Sequence, residues 1–186
     1  MVIRRFMTLL LMVLLTIVVP AGAGQGGVRL DPLFAALRAT TDAAYAESLE
    51  EHIWDLWLDN PNAEMIRVMR AGVFSFNNDD YTAALAAFDT VVTLDPTYAE
   101  GWNKRAAAHY MLGRNRAALE DLRRVLSLEP RHFGALTELG LVYLAVGQPE
   151  AALKAFDAAL AINPHLVKVR QQADNLRRTV YAGVAL

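Results

Sequence analysis

Residues 133–164, FGALTELGLVYLAVGQPEAALKAFDAALAINP, contain two stretches of helical periodicity on either side of a break at Gly147-Gln148-Pro149. Apolar side chains recur at three- and four-residue steps, with Leu136, Leu139, Gly140 and Tyr143 before the break and Ala152, Phe156 and Ala159 after it. Pro164 ends the second stretch, because proline has no amide hydrogen and disfavours helical backbone in the residue before it. The segment therefore reads as one helix–turn–helix hairpin.

Working outward, the same pattern returns every 34 residues. Pro96, Pro130 and Pro164 share that spacing, as do Gly72, Ala106 and Gly140; Ala84, Ala118 and Ala152; Phe88, Leu122 and Phe156; and Val91, Val125 and Ala159. The breaks fall at Asn77-Asn78-Asp79-Asp80, Gly113-Arg114-Asn115 and Gly147-Gln148-Pro149. A small residue in each first helix (Gly72, Ala106, Gly140) is expected to face a small one in the second (Ala84, Ala118, Ala152), so that the two helices approach closely. Val68, Trp102 and Leu136, with Phe88, Leu122 and Phe156, are expected to fill the space between hairpins.

With that order of small, large and proline positions, the chain resembles the tetratricopeptide repeat (TPR) family, with units at 65–98, 99–132 and 133–166. The resemblance implies an all-α, right-handed solenoid. The first two units depart from the pattern: Ser75 and His109 stand where an aromatic residue is usual, Arg105 replaces an apolar residue, and Asp79 replaces the turn glycine. These departures are expected to loosen local packing. Upstream, 31–64 reads as a degenerate helical hairpin stacked on the first unit. Asp31-Pro32 would start its first helix, with Leu33, Phe34 and Leu37 as an apolar stripe, and Thr41 would cap its second. Trp54 and Trp57 are expected to form core against the first unit. Residues 167–186 read as a capping helix and tail, with Lys168, Arg170, Asp174, Arg177 and Arg178 on the outer side.

The 186 residues include 18 Lys+Arg against 20 Asp+Glu, 54% hydrophobic residues and no cysteine. That composition describes a folded domain and excludes disulfides, thiolate metal sites and a cysteine nucleophile. Arg4 and Arg5 precede an apolar run from Phe6 to Val19, and Pro20-Ala21-Gly22-Ala23 ends it. Residues 1–23 thus read as a secretory signal followed by a flexible linker at 24–30, which points to a bacterial periplasm. The alternative is an uncleaved inner-membrane anchor facing the periplasm, and membrane contact is expected only in that case. The acidic balance argues against a nucleic-acid partner. Residues 28–98 carry 4 basic and 12 acidic side chains, whereas 99–186 carry 12 and 8. This asymmetry reads either as solvated helix faces or as a dipole that orients partners or drives self-association.

No enzymatic role, metal or cofactor is expected. His52, His109, His132 and His165 have no ligand-like spacing, and Glu50-Glu51-His52 lies on diverging directions of one helix. Neither a G-x-S-x-G elbow nor a phosphate-binding glycine loop occurs, and Gly24, Gly26 and Gly27 fall in the linker.

In the family resembled, the first helices of successive units line a concave groove. The matching residues are Met69, Val73, Phe76, Asn77, Asn103, Ala107, Tyr110, Met111, Thr137, Leu141 and Leu144. Such a lining suits an amphipathic helix or extended apolar peptide. Some members of the family clamp a peptide's terminal carboxylate with Lys, Arg and Asn. Here the matching positions include Met69, Val73, Gly134 and Glu138, and Lys104 alone does not rebuild that clamp. The expected function is a non-catalytic adaptor or scaffold that holds a protein or peptide partner in its groove in the cell envelope. The alternatives are a membrane-anchored assembly factor and a self-associating structural protein, and the groove could be filled by the chain's own residues 166–181 or by a second copy.

Overall fold

The computed structural model describes residues 27–182, so the expected export signal at 1–23 and residues 24–26 of the linker lie outside the described residues. Nine helices follow one another in the described part, without a strand: α1 (Gly27–Ala39), α2 (Ala43–Leu58), α3 (Ala63–Asn77), α4 (Tyr81–Leu94), α5 (Ala99–Met111), α6 (Asn115–Leu128), α7 (Phe133–Ala145), α8 (Pro149–Ile162) and α9 (Val167–Ala182). The pairs α3/α4, α5/α6 and α7/α8 are the three repeated hairpins. Each packs on the next through its second helix, and α9 packs on α8 as the first helix of a fourth unit would.

The small column has a different role from the one expected. A Cβ added to Gly72 would lie 2.6 Å from the Phe88 ring, and one added to Gly140 would strike Phe156; Ala84 and Ala152 are not the nearest neighbours. Each first helix therefore supplies a seat for the large residue of its own second helix. Where that residue is Leu122 rather than a phenylalanine, Ala106 replaces the glycine, and both are buried. Phe88 and Phe156 thus seat on the first helix of their own hairpins and also reach the next, in clusters with Ala108 and with Val169 and Ala173.

The turns show why glycine recurs every 34 residues. Gly113 and Gly147 sit at φ 71° and 72°, and Asp79 adopts φ 61° at the same position of its unit. Aspartate tolerates this left-handed backbone better than most residues, and its side chain accepts a hydrogen bond from the Tyr81 hydroxyl.

Several expectations about the leading segment are corrected. Helix α1 begins at Gly27, so residues 27–30 are helical and not linker, and Pro32 lies inside the helix. Leu30, Phe34 and Leu37 are buried at four- and three-residue steps, and that stripe extends the helix upstream of Pro32. Proline there deletes only one amide donor near the first turn. The cap of α2 is Asp42, not Thr41: its carboxylate accepts from the amides of Ala44 and Tyr45 at 2.9 and 3.1 Å.

The α1/α2 hairpin also lies elsewhere than expected. It does not stack on the first unit; α2 runs as a strap along the edge where successive hairpins join. Near its C-terminal end the Leu58 carbonyl accepts from the Tyr98 hydroxyl at 3.4 Å, and just beyond it Asn60 donates to Asp95 at 3.4 Å. In the same last turn Trp57 stacks on His132 at 4.1 Å with rings 5° from parallel, and Trp54 sits edge-on to Phe133, over Gly134. From α1, the Leu37 carbonyl bonds His165 of the third unit's final loop at 3.0 Å. Trp54 and Trp57 are therefore core at the junction of the second and third units, in a cluster of Leu30, Phe34, Leu37, Leu49, Ile53 and Phe133. Asp95, Glu129 and Asn163, again 34 apart, each accept from the backbone amide two residues on, at 2.9, 3.0 and 3.0 Å, and shape the loops the strap crosses.

Arg105 does not loosen its unit. Its guanidinium makes paired bonds to Asp121 at 2.7 and 2.8 Å, reaches Asp89 at 2.9 Å and lies over Trp102, joining α4, α5 and α6. Asp31 likewise pairs with Arg131 at 2.6 Å. Arg105–Asp89 and Arg131–Asp31 thus join the acidic and basic halves of the sequence. Arg177, expected on the outer side of α9, bonds Asp157 on α8.

Candidate functional site

The first helices α3, α5 and α7 line a concave groove containing two adjoining hollows. One, of about 220 Å³, is bounded by Val73, Phe76, Asn77, Phe88, Lys104, Ala107 and Glu138. The other, of about 180 Å³, is bounded by Phe76, Ala107, Tyr110, Met111, Glu138 and Leu141. Of the residues expected to line the groove, Val73, Phe76, Asn77, Ala107, Tyr110, Met111 and Leu141 meet there. Four do not. Met69 borders a different cleft, and Asn103 is only 1% exposed beneath the surface, donating to Glu100 at 3.1 Å. Thr137 is half-buried and bonds the Phe133 carbonyl, and Leu144 is exposed near the end of α7, outside both hollows. The capping helix α9 does not fill the groove: it packs through Val169 and Ala173 on Leu153, Phe156 and Ala159.

Two charged residues, Lys104 and Glu138, were not expected in this lining. They are 34 apart and continue upstream to Arg70, so a charged position recurs in each lining helix; that column was the available signal. Both residues also match positions of the family's clamp for terminal carboxylates, and that match masks the column.

Beneath the groove lies a buried polar chain. Glu100 is 1% exposed and pairs with Lys104 at 2.9 Å, with His132 at 3.1 Å and with Asn103. The His132 Nδ1 accepts the Ala135 amide at 3.0 Å and so caps α7; its ring proton therefore sits on Nε2, which donates to Glu100. Burial pushes the Glu100 carboxyl up, but the His132 hydrogen bond and the Lys104 charge outweigh it and hold it below the usual carboxylate range. Burial likewise opposes the charge on Lys104, and attraction to Glu100 raises its pKa above the usual lysine value. Glu138 differs. Burial first, then repulsion from Glu100, pushes its carboxyl up to about 8 against a partial offset from Lys104. It has no hydrogen bond or ion pair among the described residues.

A second surface feature is created by the position of the strap. Because α1/α2 lies across the edge, the outer side of α3 is uncovered. It borders a cleft of about 540 Å³ lined by Leu58, Met65, Ile66, Met69, Arg70, Val73, Phe74, Asn77 and Tyr98, with Phe74 71% exposed. Among the described residues, no group of three or more His, Asp or Glu is placed to hold a metal ion, and no helix is long and apolar enough to cross a membrane.

A family model described as tetratricopeptide repeat matches residues 76–119 and 104–166. A TPR repeat-containing protein of Rhizobium etli is 33% identical over 148 residues, covering 80% of this chain and 72% of that protein. The small glutamine-rich tetratricopeptide repeat-containing protein 2 of Saccharomyces cerevisiae is 34% identical over 85 residues, which is 46% of this chain but only 25% of the relative. The TPR2B domain of yeast Sti1, solved in complex with pHsp70, superposes with a TM-score of 0.60 at 20% identity, covering 63% of this chain and 99% of the domain. The repeat columns, the stacked hairpins and the Rhizobium relative together establish that this chain belongs to the tetratricopeptide repeat family.

Proposed function

We propose that the protein is a non-catalytic adaptor that holds a partner peptide or protein segment in the concave groove of α3, α5 and α7. The observation that carries this reading is the open apolar lining of Val73, Phe76, Ala107, Tyr110, Met111 and Leu141, left uncovered by both the strap and the capping helix. Apolar and aromatic walls of this kind suit a segment that presents side chains at helical or extended spacing. The solved Sti1 domain of similar fold is a complex with pHsp70, which supports a binding role for this shape.

The proposed setting is the bacterial periplasm, reached through the charged and apolar N-terminal segment from Arg4 to Val19 and cleavage after Ala23. A retained segment would instead tether the same adaptor to the inner membrane; an N-terminus at Gly24 on the isolated protein supports cleavage, and one at Met1 contradicts it. The adaptor reading is tested by crosslinking pull-down from the native envelope, with Tyr110→Ala/Leu141→Glu as control. It predicts a partner captured by the wild type and lost in the variant; capture unaffected by the variant refutes the groove assignment.

The uncovered side of α3 favours a second reading, self-association through Phe74 and the adjoining cleft. A dimer in solution that Phe74→Glu converts to a monomer would support it, and a wild-type monomer at high concentration would exclude it.

A further inference from the structure

We propose that the segment bound in the groove carries a lysine or arginine side chain, flanked by apolar residues, whose charged end pairs with the Glu138 carboxylate. The inference rests on the groove being the binding face and specifies what that face selects.

Glu138 is the residue around which the groove is organised: it borders both hollows, together with Phe76 and Ala107. The other ionisable groups nearby already have partners, and Asn77 and Tyr110 are uncharged. Lys104 is held on Glu100 at 2.9 Å, Asn103 donates to the same carboxylate, and His132 is engaged by Glu100 on one ring nitrogen and the Ala135 amide on the other. Lys104, which borders one hollow, is neutralised by Glu100, so the lining is left with one carboxyl that has no ion pair among the described residues. The charged groups that act on Glu138 from the packed helices are Glu100 and Lys104, both on α5; the Tyr110 hydroxyl shares the hollow but is uncharged. Arg70, which occupies the same column in α3, borders the outer cleft instead.

The surroundings match a long basic side chain better than a small cation or an acidic end group. The aliphatic stem of lysine or arginine can lie along Ala107 and Leu141, while Phe76 and Tyr110 offer ring faces to the charge. A terminal carboxylate placed in the same hollow could not release the Glu138 proton without meeting like charge, and its natural partner Lys104 is already held by Glu100.

In the free protein the elevated pKa means that Glu138 holds a proton at neutral pH. A docked cation replaces that proton, so binding releases one proton per site. Affinity therefore rises as the pH approaches 8, by up to about tenfold per pH unit, and levels off above it.

The test is selection of random peptides displayed on phage against the purified protein, followed by titration of synthetic versions of the selected peptides. The inference predicts that selected peptides share one Lys or Arg among apolar residues. Replacing that residue by norleucine, or Glu138 by Gln in the protein, is then expected to weaken binding at least about tenfold, and the two changes combined are expected to weaken it little further. Circular dichroism of Glu138→Gln monitors the fold, and the norleucine peptide tests the same pair on unaltered protein. Peptides that depend on Tyr110 and Leu141 but carry no basic residue would overturn this inference and leave the groove reading standing. Peptides indifferent to Tyr110→Ala/Leu141→Glu would overturn both.

Discussion

The same three hairpins present two faces with opposite chemistry. Along the junction edge, α2 covers the loops, Trp57 stacks on His132, and Asp95, Glu129 and Asn163 each bind a backbone amide of their own loop. On the concave side Glu138 has neither hydrogen bond nor ion pair among the described residues, and apolar side chains from three helices border open hollows. The difference lies in how each face uses the repeat. Columns on the edge keep one role in every unit, whereas the column Arg70, Lys104, Glu138 changes charge from unit to unit. Uniform columns make a scaffold; a divergent one makes a face that can discriminate between ligands.

The largest break in this contrast is expected from Trp57→Ala, which removes a buried ring from the strap, its stack on His132 and its contact with Phe133. Denaturant unfolding is expected to show a loss of about 3–5 kcal/mol, and a loss below about 1 kcal/mol would show that the strap is not integral. Next, Tyr110→Ala and Leu141→Glu each act on the open face. Each is expected to weaken binding of a groove ligand by about 2 kcal/mol with little loss of helicity, measured by titration calorimetry and circular dichroism.

A smaller effect concerns Glu138 and pH. Its folded pKa of about 8 exceeds the ordinary value of 4.5, so its contribution to stability is complete below about pH 4.5 and is lost as pH rises through 8. His109, whose pKa is lowered mainly by burial, acts in the opposite direction near its own range. The wild-type minus Glu138→Gln difference isolates the glutamate, and that difference is expected to fall by on the order of 1–2 kcal/mol between pH 5 and pH 8. A flat difference would place Glu138 in free solvent. The smallest effect is at Asp79, which holds a left-handed φ of 61° where the other units have glycine. Asp79→Gly is expected to stabilise the fold by about 0.5 kcal/mol, the relief of backbone strain being offset by the lost Tyr81 contact and by glycine's freedom in the unfolded chain.

The repeated part of the fold is legible because a 34-residue period supplies three readings of each position, so the hairpins follow from spacing, and the resemblance to the tetratricopeptide repeat family then implies the lining residues Phe76, Ala107 and Tyr110. The leading hairpin offered a single copy. Its periodicity showed which faces of Ile53 and Trp57 are apolar, but nothing in one amphipathic helix states which partner buries it, and the strap was therefore placed on the wrong unit. Asp31-Pro32 is a good local start for α1, but the tertiary burial of Leu30 overrides it and the helix includes Gly27 to Leu30. The buried chain from His132 through Glu100 to Lys104 spans two units and has no counterpart in local spacing.

The most direct test of the account is site-specific photo-crosslinking, with a benzophenone amino acid at Met111 in the groove or at Glu51 on the exposed side of the strap. The account predicts that a partner segment crosslinks from position 111 and not from position 51. Crosslinking from 51 alone would contradict it and move the binding face to the edge that α2 covers.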